Sequence, residues 1–206
     1  MASVGNVDKR SIRSLKMATI AGLLASAIVL HVFKIPYPPA TFLKFDLCGV
    51  PLTIAAFIAT IEATFFGLPV FYLGIFALGG AMDPIGPAMK ALAELSTYLP
   101  TVATYRRMAR RGSINSKNLI ILVVIAIISR VALMCLANLA ITPHWLLIMR
   151  WARSWEQAWS YTLLILPHIV AFNAIAALYI VLLSAPLMRI IGTMGVAVVG
   201  EKSTRS

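Results

Sequence analysis

Apolar residues fill long stretches of the chain in continuous runs, and short polar or basic segments separate the runs. A helix needs about 20 apolar residues to cross a bilayer. Strand-like alternation, which a membrane β-barrel requires, is not evident. We therefore expect an all-α membrane protein with one six-helix transmembrane domain over residues 1–206. The predicted spans are about 16–33, 47–66, 68–82, 85–105, 118–141 and 160–183.

Composition agrees with this pattern. The chain is 60% hydrophobic and 12% charged, with a mean hydropathy of +0.89, whereas soluble domains carry about 25% charged residues. The composition therefore excludes a soluble protein. Cys48 and Cys135 both lie in apolar runs, which gives neither a disulfide framework nor a metal-ligand spacing. We expect two small buried side chains and no metal site.

Basic residues indicate the orientation. Lysine and arginine outnumber aspartate and glutamate by 18 to 7. If six helices alternate, one side of the membrane receives Lys9, Arg10, Arg13, Lys16, Arg106, Arg107, Arg110, Arg111, Lys117, Arg189, Lys202 and Arg205. The positive-inside rule then places both termini in the cytoplasm. Anchoring at the anionic face of the lipid bilayer accounts for these residues, and no nucleic acid is needed as a partner.

Two segments on the opposite side are unusual. Residues 34–46 contain three prolines, which forbid a regular helix. Trp151, Trp155 and Trp159 recur every four residues, so in a helix they share one face. That face is an interfacial aromatic belt or a lid over a planar ligand, and the two interpretations can both hold.

Several polar residues fall at membrane depth, where an ionisable group needs a partner or a cavity. Lys90 and Glu94 are four residues apart and form an internal ion pair or contact a ligand. Arg130 could pair with Glu94, and Asn138 and Asn173 could join helices. By contrast, one face of the first predicted span is made of small residues that allow close helix approach: Ala18, Ala21, Gly22 and Ala25.

Enzyme motifs are absent from the sequence. It contains no H-E-x-x-H, G-x-S-x-G or G-x-x-x-x-G-K-[ST], and its aspartates are isolated. We therefore expect no catalytic activity, and any ATP hydrolysis would occur in other subunits. A small secondary transporter with a pathway lined by Lys90, Glu94 and Arg130 remains an alternative, although no internal repeat is evident.

A series of short motifs resembles a known family. Residues 37–51 read YPPATFLKFDLCGVP, a proline-rich loop that ends in an L-K-x-D-x-x-x-x-P pattern. Further motifs follow in order: Phe66-Gly67-Leu68-Pro69, Leu99-Pro100-Thr101, Arg106-Arg107, Asn138-Leu139-Ala140-Ile141-Thr142-Pro143, Leu166-Pro167 and Phe172-Asn173. Over about residues 14–190 the chain resembles the substrate-binding S component of energy-coupling factor (ECF) vitamin transporters, closest to the riboflavin-specific branch.

The resemblance implies a six-helix subunit of the cell membrane that captures a vitamin from outside. Its partners would be a transmembrane T component and two ATPase subunits. It implies docking through Ala18, Ala21, Gly22 and Ala25. The implied substrate-binding residues are Leu43, Lys44, Phe45, Asp46, Lys90, Glu94, Asn138 and Asn173. No cofactor is implied beyond a bound ligand, for which riboflavin is the first choice.

The chain departs from the riboflavin-specific pattern at several positions. Lys90 stands where riboflavin binders have an asparagine, and Leu78-Gly79-Gly80 stands near their lysine–asparagine pair. Ala176 falls at about the position of their lysine in helix 6. A charged pair in the pocket also suits a ligand with its own carboxylate or amine. Another vitamin or a nucleobase derivative is therefore the alternative ligand.

Overall fold

The computed structural model describes residues 9–78, 83–110 and 116–193. Its helices are α1 (Lys9–Val32), α2 (Gly49–Ile58), α3 (Thr60–Glu62), α4 (Leu68–Leu78), α5 (Ile85–Ala109), α6 (Ser116–Ile148) and α7 (Trp155–Thr193). Part of the third predicted span (79–82) lies outside the described residues, as do Arg111, Lys202 and Arg205.

Four helical segments among the described residues are long and apolar enough to cross a membrane. They are Arg13–Val32, Thr60–Leu78, Lys117–Ile148 and Trp155–Gly192. The chain is therefore a helical protein suited to a membrane. The fully apolar α2 is shorter, and α5 is less apolar because it carries Lys90, Glu94, Arg106 and Arg107. The total of six membrane spans remains a prediction.

Helix α2 lies at the centre of the bundle. Each residue from Pro51 to Ala59 is buried, and α1, α5 and α7 pack around the helix. A helix that is apolar on all sides is stable only when other helices surround it or lipid does. The sequence GVPLTIAAFI has no polar face, and this explains why α2 occupies the core.

Contacts between helices fix their relative directions. The Lys16 ammonium forms a 3.0 Å ion pair with Glu62 of α3, and the ring of His31 lies 6.2 Å from that of Phe71 of α4, so α1 and the segment 60–78 run in the same direction. At the bundle end near Lys16, Arg106 donates a 2.7 Å hydrogen bond to the Phe57 carbonyl. Residues 33–48 lie at the opposite end, which we call the loop end.

The chain turns between the second and third apolar segments at Ala59, not near Gly67 as the sequence predicts. Ala59 leaves the helical conformation (φ −152°, ψ 85°), whereas residues 60–78 form one rod through a π-helical stretch at Ala63–Gly67. The π stretch ends where the Leu68 N–H bonds to the Ala63 carbonyl, just before Pro69. A wider turn there accommodates a proline without breaking the helix.

The loop end carries a short two-stranded ribbon. Strands β1 (Ile35–Pro36) and β2 (Lys44–Phe45) pair antiparallel, and the Tyr37 N–H donates a 2.8 Å hydrogen bond to the Leu43 carbonyl. The prolines therefore exclude a helix here, as the sequence predicts. The ribbon places Phe45 and the following Asp46 over the bundle.

The turn between α6 and α7 separates the three tryptophans. Arg150 adopts a positive φ of 59° in this turn, and α7 begins only at Trp155. Trp155 and Trp159 stack with ring centroids 6.3 Å apart, whereas Trp151 packs edge-on against Trp145 at 4.8 Å. A single helical face with all three tryptophans is therefore wrong, because the turn takes Trp151 out of the helix.

Candidate functional site

Four charged side chains meet below the ribbon, and we call them the charge network: Asp46, Lys90, Glu94 and Arg130. The Lys90 ammonium lies 3.1 Å from Asp46 Oδ1 and 2.9 Å from Glu94 Oε1, and Arg130 Nη2 lies 3.3 Å from the same Glu94 oxygen. The side chains of Asp46, Glu94 and Arg130 are 1% exposed. Two carboxylates and two cations make the network neutral overall, as burial requires.

Arg130 connects the network to α5 and α7. Its Nη1 donates a 2.8 Å hydrogen bond to Thr97 Oγ1, and its Nε donates one of 3.0 Å to Asn173 Oδ1. Asn173 donates in turn to the Ile169 carbonyl at 2.8 Å. The planar guanidinium thus holds three helices in one geometry.

Asp46 ties the loop to the network. One carboxylate oxygen lies 2.9 Å from His31 Nδ1, and the other accepts a 3.1 Å hydrogen bond from the Cys48 N–H. Burial alone raises the pKa of Asp46, but the Lys90 charge and these hydrogen bonds outweigh it and hold the pKa well below its usual range. Because the pKa of Asp46 is lower in the folded protein than in the unfolded chain, the contacts of its carboxylate stabilise the fold at every pH above the unfolded pKa. This anchor is therefore present at neutral pH and is lost only in strong acid.

A glycine allows Glu94 to approach the first turn of α2. A Cβ built on Gly49 would collide with Glu94 Oε2 and with Ile180 Cδ1. The second Glu94 oxygen therefore lies against the α2 N-terminus, where the helix dipole favours negative charge. Any side chain at position 49 would displace the carboxylate.

Aromatic rings cover the network from the loop side. Phe45 stacks on Phe172 with ring centroids 4.6 Å apart and meets Tyr37 and Tyr179 edge-on at 5.8 and 6.1 Å. The Tyr179 hydroxyl donates a hydrogen bond to the Asp46 carbonyl. We call Tyr37, Phe45, Phe172 and Tyr179 the aromatic cluster. It lies between the ribbon and α7 and screens the network on that side.

The structure brings together five of the eight residues that the sequence nominates for substrate binding. They are Phe45, Asp46, Lys90, Glu94 and Asn173. The predicted Lys90–Glu94 ion pair is present, and Arg130 pairs with Glu94 as the sequence allowed.

Three nominated residues lie outside this arrangement. Asn138 bonds within α6, to the Met134 carbonyl and to Thr142. Lys44 is exposed on the ribbon, and Leu43 contributes a backbone carbonyl to the ribbon turn.

Sequence reasoning missed His31, Thr97 and Tyr179. The side chains of His31 and Tyr179 bond to Asp46, which is 15 and 133 residues away in sequence. For His31, the one available signal was its position at the end of an apolar run; for Tyr179 there was none. Thr97 lies one turn after Glu94 on the same face of α5, and this spacing was a usable signal.

Among the described residues, His31, Asp46 and Cys48 place possible metal-ligand atoms within 4.8 Å of one another. Both Asp46 oxygens already contact His31, Lys90 or the Cys48 N–H, so hydrogen bonds and an ion pair account for this grouping. The small residues of α1 lie elsewhere. Ala18, Ala21, Gly22 and Ala25 are all exposed along one side of that helix.

Comparison with solved structures finds three chains of similar fold. A structure of the S component of a bacterial ECF transporter superposes with a TM-score of 0.67 and 24% sequence identity, over 88% of this chain and 98% of that chain. No protein-family model matches the chain, and no curated protein sequence does. At this identity the likeness establishes the fold, which is that of an S component.

Proposed function

We propose that this chain is the substrate-capture subunit of an ATP-driven ECF-type vitamin transporter in the cell membrane. The observation that carries the proposal is an anchored loop in an S-component fold: Asp46, which follows the proline-rich ribbon, pairs with Lys90 in a network of buried charges on α5 and α6. We call this anchoring the loop clamp. The loop end faces outward in this proposal, and both termini lie in the cytoplasm, in keeping with the distribution of basic residues.

The proposed ligand is riboflavin or a related small planar vitamin. Phe45 and Phe172 offer ring faces for stacking, and Lys90 is the most exposed member of the charge network, at 14%. A mostly apolar pocket with a few convergent polar groups suits such a ligand. The charged pair also suits a vitamin or nucleobase derivative that carries its own carboxylate or amine.

Ligand identification tests the proposal. The full chain is purified in mild detergent, co-purifying small molecules are identified by mass spectrometry, and riboflavin is titrated while flavin fluorescence is recorded. We expect quenching that saturates at one flavin per chain and is lost in Lys90→Ala. The matched control is Lys117→Ala at an exposed position of α6, which should quench like the wild type.

A different vitamin-sized compound would keep the transporter class and change the ligand. Folded protein that neither retains a small molecule nor quenches flavin would contradict the riboflavin assignment.

One observation favours a second candidate, a self-sufficient secondary transporter. Lys90, Glu94 and Arg130, the three groups that such a pathway needs, lie together. Uptake by proteoliposomes that contain this chain alone, without ATPase subunits, would support that function against the first.

The proposed partners are a transmembrane T component and two ATPase subunits, and the chain itself is proposed to have no enzymatic activity. Small exposed side chains on α1 permit close packing of a partner helix. We expect Ala21→Leu to lower recovery of the T component in co-purification about tenfold, since overpacking an interface costs about 1–3 kcal/mol. Ligand binding should be unchanged. Ala132→Leu, at an exposed alanine of α6, is the matched control; equal recovery from both variants would exclude docking through α1.

A further inference from the structure

A groove runs along the side of the bundle between α1 and α7. It consists of two adjoining hollows of about 630 Å³ and 460 Å³, and both are lined by Leu30, Leu47 and Leu183. Val50 and Pro51 of the central helix α2 contribute to the second hollow. Leu182, Leu183 and Leu187 along its wall are exposed, so the groove is open towards the surroundings of the protein.

The α7 wall of the groove is one continuous helical stripe. It is formed by Ile175, Tyr179, Leu182, Leu183, Pro186 and Leu187, which recur at intervals of three and four. With a rise of about 1.5 Å per residue, the stripe is about 18 Å long. One leaflet of the hydrocarbon core is about 15 Å thick, half of the whole core. The groove therefore has about the length of one leaflet.

Polarity changes along the groove. The hollow farther from the ribbon is lined only by leucine, valine and proline, whereas Lys34, Asp46 and Tyr179 enter the lining at the loop end. The Asp46 carboxylate already pairs with Lys90 and forms a hydrogen bond with His31. The loop end of the groove thus combines a basic side chain with a long apolar channel.

Two lysines lie near each other at the loop end of the groove. Burial lowers the pKa of Lys34 and the nearby Lys44 lowers it further, while the Asp46 carboxylate raises it in part. Pro36 pairs with Lys44 across the ribbon, so the fold holds the two lysines near each other. A negative group placed between them would relieve their repulsion.

We infer that the groove binds one acyl chain of a phospholipid with an anionic headgroup, whose phosphate lies beside Lys34 and Lys44. The chain lies along the α7 stripe, and Leu183, which is 47% exposed, is covered by it. The inference requires that the protein lies in a membrane, but it does not depend on the proposed vitamin. A planar vitamin fits the groove poorly, because its polar atoms would have no partners below Tyr179.

The test measures retained lipid. The full chain is reconstituted with equal amounts of phosphatidylglycerol and phosphatidylcholine, extracted into mild detergent and examined by native mass spectrometry. We expect one phospholipid per chain, with phosphatidylglycerol preferred. Lys34→Gln should weaken this preference about fivefold, since a lysine at an anionic surface contributes about 1 kcal/mol. Leu183→Trp should fill the groove and abolish retention.

Two matched variants serve as controls. Arg153→Gln removes an exposed cation of the α6–α7 turn, and Leu164→Trp enlarges an exposed leucine of α7 that does not line the groove. Both should retain lipid like the wild type, and thermal unfolding confirms that each variant is folded. Retention of detergent only, or equal retention by Leu183→Trp and Leu164→Trp, would overturn the inference. If the protein retained riboflavin in the groove in place of lipid, the lipid inference would be wrong and the proposed function would be supported. Flavin binding by a protein that retains no lipid would likewise contradict the lipid inference and leave the proposed function intact.

Discussion

Replacing Arg130 by methionine should destabilise the protein by about 3–5 kcal/mol, because it leaves a buried carboxylate without half of its compensation. Glu94 would keep Lys90 alone, while Thr97 and Asn173 would lose the donors that now occupy their oxygens. For a chain of this size the unfolding temperature should fall by about 6 °C or more. The measurement is thermal unfolding in detergent, with tryptophan fluorescence as the signal.

The Lys16–Glu62 ion pair provides a matched control. It has similar chemistry, but each side chain is 35% exposed, so Lys16→Met should cost less than about 1 kcal/mol. The double variant Arg130→Met with Glu94→Gln should recover part of the loss, because no uncompensated charge remains. An Arg130→Met protein that unfolds within about 1 °C of the wild type would show that Glu94 does not carry a charge in the folded state.

Replacing Asp46 by asparagine should weaken ligand binding by at least about 30-fold, since removing one partner of a buried charge pair costs about 2 kcal/mol or more. Asparagine keeps the size of the side chain and removes the charge that Lys90 contacts at 3.1 Å. The ribbon then loses its ionic anchor, and we expect the loss mainly as faster ligand release. Stopped-flow recovery of flavin fluorescence measures this rate.

Thr41→Ala is the control for that variant, since Thr41 is exposed in the same loop. Its release rate should stay within about twofold of the wild type, which separates ribbon anchoring from a general effect of loop substitution. Unchanged release from Asp46→Asn would contradict the clamp and would assign the Asp46 contacts to stability alone.

Local spacing predicts the parts of the site that lie on one helix. Lys90 and Glu94 are one helical turn apart, so their pairing follows from sequence. Arg130 follows from the cost of an isolated charge at membrane depth, which requires an opposite charge nearby. The absence of a helix over residues 34–46 follows from the three prolines. Each of these predictions depends on a residue type, a buried charge or a proline, that is compatible with few local structures.

Other features depend on packing between distant segments and could not be read from local pattern. His31 reaches Asp46 only because α1 ends beside the loop, and Asn138, nominated by resemblance, bonds within its own helix. The turn at Ala59 has no glycine or proline to mark it, whereas Gly67 and Pro69 resemble a turn and lie inside a rod. A π-helical stretch has no sequence signature that periodicity would detect.

The charge network also has a consequence for biosynthesis. α5 brings Lys90 and Glu94 to the network but is less apolar than the four segments that could cross a membrane alone. A lysine or aspartate at the centre of a lone helix costs about 2.5–3.5 kcal/mol on insertion, and Arg130 confronts α6 with a similar cost. α5 and α6 are adjacent in sequence and pair in the fold. We therefore expect α5 and α6 to enter the lipid together, because within the hairpin Glu94 pairs with both Lys90 and Arg130, while the one remaining positive charge is compensated only when Asp46 joins the network.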